Sequence, residues 1–170
     1  MGNAGIREAI DNLGAAISAD PAKARAKGVP TTARLSGGLT CEVTGPQGQR
    51  MLTDMPPAMG GAASAPNPGW YLRGAIASCM ATVIAMRAAK LGITLETLEV
   101  TVESDSDHRG ILGLDRKIPA GQTAVRTAVK IRGDAEPQKL REVVAWAEGH
   151  SPVGCTVKDG PPCSLDVQVV

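Results

Sequence analysis

A chain of 170 residues, 43% of them hydrophobic and with a net charge of +1, suits one globular body that buries a core. So even a balance leaves no electrostatic footprint for phosphate, and no Phe, one Tyr and two Trp give no platform for stacking bases, so no nucleic-acid partner is expected. The four cysteines, Cys41, Cys79, Cys155 and Cys163, stand without close pairing and outside any secretory context, the pattern of free thiols in a reducing compartment.

Residues 1–8 show no charged-then-apolar signal pattern, so no leader is expected. Ile6, Ile10, Leu13 and Ile17 recur at i, i+4, i+7 and i+11, which predicts an amphipathic helix ending near Asp20-Pro21. Lys23, Arg25 and Lys27 follow as a solvated link. Leu39, Cys41 and Val43 then alternate, and Gly45-Pro46-Gln47-Gly48 turns the chain into 50–54, a hairpin with Cys41 in the core. Pro, Gly, Ala and Ser dominate 55–68, a loop that delivers the chain to a long helix over 70–91 with Pro68 in its first turn and Gly92 as its stop. Cys79 shares a face of that helix with Ile76, Val83 and Met86, yet the other faces are apolar too, so the helix is expected to be central. Its Arg73, Arg87 and Lys90 argue against a membrane span, and a cytoplasmic location is expected.

Leu98, Val100 and Val102 alternate with polar residues, as do Val125, Val129 and Ile131, giving strands with one wet face. Leu140, Val143, Val144 and Ala147 behind Pro137 predict a second amphipathic helix closing near Gly149, and Leu165, Val167 and Val169 a final strand. Strands separated by single helices make this an α+β chain.

Neither His108 nor His150 belongs to a ligand pair at zinc spacing, and surface positions are expected for both. A zinc site from Cys155, Cys163 and a histidine, and a Cys155–His150 nucleophile pair, remain open by sequence proximity. No Walker or GxGxxG loop supports nucleotide binding. Spacing alone makes Cys79 a packing residue, because free cysteine behaves as a small hydrophobe. Apolar surroundings disfavour a thiolate, and Arg73 and Arg87 lie off the Cys79 face, so a reactive Cys79 needs a cation from another segment.

Three stretches carry a resemblance. Met55-Pro56-Pro57-Ala58-Met59-Gly60-Gly61, Pro66-Asn67-Pro68 and Ala75-Ile76-Ala77-Ser78-Cys79 together resemble the approach to the cysteine helix in the OsmC/Ohr family of osmotically inducible and organic hydroperoxide resistance proteins. Ser151-Pro152-Val153-Gly154-Cys155-Thr156-Val157 resembles that family's second cysteine motif, and Asp107-His108-Arg109-Gly110-Ile111-Leu112-Gly113-Leu114-Asp115 the loop of an OsmC-like branch. The resemblance covers about 35–170. It divides the chain into an N-terminal helical extension, 1–30, and an OsmC-like domain, 31–170.

The resemblance implies an intertwined homodimer, with antiparallel sheets from both chains wrapped around two central helices. It also implies a thiol peroxidase for organic hydroperoxides in which Cys79 becomes a sulfenic acid and Cys155 condenses with it into a disulfide. An external thiol such as dihydrolipoamide then reduces the disulfide, with no metal or bound cofactor. The family places a Glu directly after the Asn-Pro, where it holds an activating Arg; here the residue is Gly69. Arg34 is the first candidate by position for that Arg and Arg50 the second. Trp70 and Tyr71, in the first helical turn, are candidates for a pocket wall reshaped beside Gly69, or for closing a core edge or dimer seam. A non-catalytic relative that binds an apolar ligand or senses oxidants is the competing reading, and Gly69 is what favours it.

Overall fold

The computed structural model describes residues 3–170. In chain order it contains α1 (Asn3–Ala19), β1 (Thr32–Gly37), β2 (Thr40–Thr44), β3 (Arg50–Thr53), α2 (Pro68–Leu91), β4 (Leu95–Ser106), the single turn α3 (His108–Ile111), β5 (Gln122–Gly133), α4 (Pro137–Glu148) and α5 (Pro152–Asp159). The class is α+β, as expected. Contacts divide the chain into two compact units, one of residues up to Glu8 with Ala75–Val170, the other of Ala9–Gly74.

In the first unit, Ile76, Met80, Ile84 and Ala88 form a buried stripe at four-residue spacing along α2. With Ile93 and with Leu140, Val143 and Ala147 of α4, three of these residues make the core, and Leu98, Val100, Val129 and Ile131 of the β4–β5 ribbon pack against it. The ribbon is antiparallel, with Leu98 opposite Ile131 and Val100 opposite Val129 on the inner face. On the outer face Glu99 stands opposite Lys130 and Glu103 opposite Arg126, so each strand has its predicted wet side. By length and composition alone α2 could cross a membrane; here its stripe is committed to this core.

Gly92 ends α2 with a left-handed φ of 78° that a side chain would strain, and the Ile93 N–H closes the helix on the Ala88 carbonyl at 2.9 Å. The opening turn of α1 adds a clip. Asn3 Nδ2 donates to the Ile93 carbonyl and Arg7 Nε to the Ala89 carbonyl, each at 3.0 Å, a cation placed where the α2 dipole is negative.

In the second unit β1, β2 and β3 form an antiparallel sheet in that order, with Cys41 opposite Leu35 on one side and Thr53 on the other. The loop from β3 to α2 is organised by Asp54, whose side chain accepts hydrogen bonds from the N–H groups of Met55, Ala62 and Ser64 at 2.7, 3.1 and 2.9 Å and from Ser64 Oγ at 2.7 Å. The residue is 1% exposed. These bonds, those from Ser64 foremost, hold the carboxyl down from 3.8 to about 2. A carboxyl lowered in the folded state contributes stability that is complete above its unfolded value and is lost as pH falls through the folded one. The stability advantage of the protein over Asp54→Asn is therefore expected to be full at pH 5 and to shrink between pH 4 and 2, read by urea melts across that range.

Four features depart from the sequence reading. β1 carries no buried residue, so no apolar alternation announces it; its pairing with β2 makes it a strand. Cys41 is half-buried instead of core, because β2 buries no residue fully. α2 is buried along one stripe and not all round, Met86 and Leu91 staying exposed. Residues 160–170 form no strand; they have no ladder partner among the described residues, Leu165 is 88% exposed, and alternation without a partner leaves the backbone unpaired.

Candidate active site around Cys79

Cys79 sits on α2 beside the buried Met80 and is itself half-buried. The second motif reaches it through α5. Ser151 caps that helix, Pro152 fills its first position, and Ser151 Oγ accepts from the Gly154 N–H at 3.3 Å. The same hydroxyl donates to Cys79 Sγ at 3.3 Å, and Ser151 is 2% exposed. The side chain of the second motif in contact with Cys79 is thus a serine that the sequence reading passed over in its search for thiols. Ser-Pro at a helix start was the signal available to find it.

Cys155 lies four residues after Ser151, on the same side of α5, and its N–H bonds the Ser151 carbonyl at 2.8 Å. Its thiol donates to the Gly149 carbonyl at 3.6 Å. His150 is turned elsewhere: its ring stacks on Trp146 at 3.8 Å, Nδ1 lies 2.7 Å from the Trp146 carbonyl, and Arg87 stands 4.6 Å from the indole centre. Among the described residues no three His, Cys, Asp or Glu side chains converge as metal ligands would. Cys163 is exposed, with its thiol on the Pro161 carbonyl.

Ser151 also lines a cavity of 310 Å³ whose walls include Ile76 and Met80 of α2, Val125 and Val129 of β5, and Val144 of α4. Glu148 and Lys158 stand at this largely apolar space, paired at 2.7 Å. The bond lowers the Glu148 carboxyl and raises the Lys158 ammonium, so each holds the other charged.

The candidate cations belong to the unit Ala9–Gly74. Arg34 is exposed on β1, opposite Glu42 in register, and Arg50 pairs with that same Glu42. Asn67 Oδ1 accepts from the Trp70 N–H at 2.9 Å and so caps α2 just ahead of Gly69. A Cβ at Gly69 would stand 3.2 Å from Asn67 Oδ1 and 3.7 Å from Arg73 Nη1. Trp70 is 53% exposed and meets Tyr71 edge-on at 5.1 Å, while the Tyr71 hydroxyl donates to the Leu52 carbonyl at 2.9 Å.

Comparison with known structures finds the same fold repeatedly. The OsmC-like protein from Mycoplasma pneumoniae superposes with a TM-score of 0.68 at 16% identity, covering 80% of this chain and 91% of its own. An organic hydroperoxide resistance protein OsmC from Legionella pneumophila gives 0.60 at 20% identity, with 79% and 92% covered. The organic hydroperoxide resistance protein OhrB of Bacillus subtilis gives 0.53 at 19%, with 79% and 93% covered. No curated protein matches the chain. The sequence model of OsmC-like proteins matches residues 61–166, a span that holds α2 with Cys79, the β4–β5 ribbon and α5 with Ser151 and Cys155. On that match and this fold, the chain belongs to the OsmC-like protein family.

Proposed function

We propose that the chain is a cytoplasmic thiol peroxidase for organic hydroperoxides, with Cys79 as the attacking sulfur. The observation that carries this reading is Cys79 Sγ held at 3.3 Å by a buried hydroxyl that itself lines an apolar cavity. Relatives named organic hydroperoxide resistance proteins support a redox or peroxidase role at the level of the family. An apolar wall rewards an alkyl tail, which favours an organic hydroperoxide over hydrogen peroxide.

In the proposed cycle the Cys79 thiolate attacks the distal peroxide oxygen. The O–O bond breaks, the sulfur is oxidised to sulfenic acid, and the alkoxide leaves and takes a proton to become the alcohol. The Cys155 thiol turns from the Gly149 carbonyl to attack that sulfur, an S–S bond forms, and water departs. An external dithiol such as dihydrolipoamide restores both thiols by exchange and leaves as its own disulfide. Arg34 is the proposed activating cation, and the working unit is the homodimer.

Consumption of cumene hydroperoxide driven by dihydrolipoamide tests the reading. Turnover is expected in the intact protein, none in Cys79→Ser, and a loss of turnover with sulfenic acid accumulating in Cys155→Ser. Absence of turnover in the intact protein would overturn it. The second reading, a protein that binds an apolar ligand or senses oxidants through the same cysteines, would then stand on Gly69, which supplies no carboxylate to tether an arginine.

A further inference from the structure

We propose that Ser151 is a positioning residue for Cys79: its hydroxyl fixes the sulfur by donating a hydrogen bond that strengthens when the sulfur carries charge. This rests on the reading of Cys79 as the reactive group and adds a residue to it.

Three observations carry the assignment. Ser151 Oγ stands 3.3 Å from Cys79 Sγ although the two are 72 positions apart in the chain, so the contact is made by the fold and not by local geometry. The residue is 2% exposed, so its hydroxyl is held in place by protein partners. One of its two lone pairs is engaged by the Gly154 N–H at 3.3 Å, which leaves the hydroxyl hydrogen available to Cys79.

The two roles separate by substitution. Ser151→Gly removes the donor at little expense in capping, because glycine is a tolerated cap. Ser151→Thr retains both the donor and the cap, and Ser151→Ala loses both. The readout is the rate of Cys79 alkylation by iodoacetamide at fixed pH, followed on the Cys79 peptide by mass spectrometry, so that Cys41, Cys155 and Cys163 do not interfere. Far-UV circular dichroism checks that each variant is folded. A hydrogen bond to a charged sulfur corresponds to about a tenfold effect. Ser151→Gly and Ser151→Ala are expected to react about tenfold more slowly and Ser151→Thr within about threefold of the intact protein. Equal rates in Ser151→Gly and the intact protein would overturn the proposal, as would Ser151→Thr reacting as slowly as Ser151→Gly. Alkylation needs no peroxide. A slow Ser151→Gly rescued by Ser151→Thr supports the role even if cumene hydroperoxide is not consumed, an outcome that would remove the peroxidase reading alone.

Discussion

Gly61→Ala is expected to lower the thermal midpoint by roughly 10 °C, corresponding to about 3 kcal/mol. A Cβ at this position would lie 1.9 Å from the Met55 carbonyl oxygen and 2.9 Å from Asp54 Oδ1, and neither group has freedom to retreat. The Met55 carbonyl accepts from the Ala63 N–H at 3.1 Å, and Asp54 is fastened by four hydrogen bonds within the same loop. The strain must therefore open the loop. Because the loop ends at the Asn67 cap of α2, its opening also loosens the first turn of the helix that bears Cys79. Thermal melts of Gly61→Ala beside Gly74→Ala provide the check, since a Cβ at Gly74 meets nothing within 4 Å. Equal midpoints for the two variants would show that the loop yields without cost.

Ile84→Ala is expected to cost about 3–4 kcal/mol, and Ile84→Val about 1 kcal/mol. Ile84 is 0% exposed and sits mid-stripe on α2, in the cluster with Met80, Ala88, Val143 and Ala147. Removing three carbons there leaves a space bounded by two helices and a ribbon, none of which can close on it without disturbing its own packing. Urea unfolding measures both variants. A loss below about 1 kcal/mol for Ile84→Ala would mean that α4 collapses into the space.

The elements that announced themselves in the sequence were those whose side-chain pattern is set by burial in their own unit. α4 follows its spacing from Leu140 to Ala147, and the β4–β5 ribbon follows its two-residue alternation. The hairpin of β2 and β3 was legible through its turn, where Gly48 adopts a φ of 82° that favours glycine. β1 was not legible, since Ala33, Arg34 and Ser36 alternate nothing and the strand exists through backbone pairing alone. The 165–169 alternation promised a strand that only a partner edge can make. At the site, motifs located Cys79 and the segment of Cys155, but which side chain of that segment meets Cys79 depends on how α5 starts, and a difference of four residues in contact is invisible to a motif. Asp54 was equally hidden, because a carboxylate that gathers N–H groups from eight and ten residues onward has no periodicity.

The clip between α1 and α2 has a consequence for synthesis. Arg7 and its acceptor, the Ala89 carbonyl, are 82 residues apart, so at ribosomal rates of about 5–20 residues per second Arg7 waits roughly 4–16 s for the acceptor to be made. Until then the two acceptors of this clip are missing, and the charged side chain keeps that waiting turn in water. The clip closes only when the chain has been made through Ile93, past the end of α2, so in the order of translation it acts as a latch on a finished helix and not as a template for it.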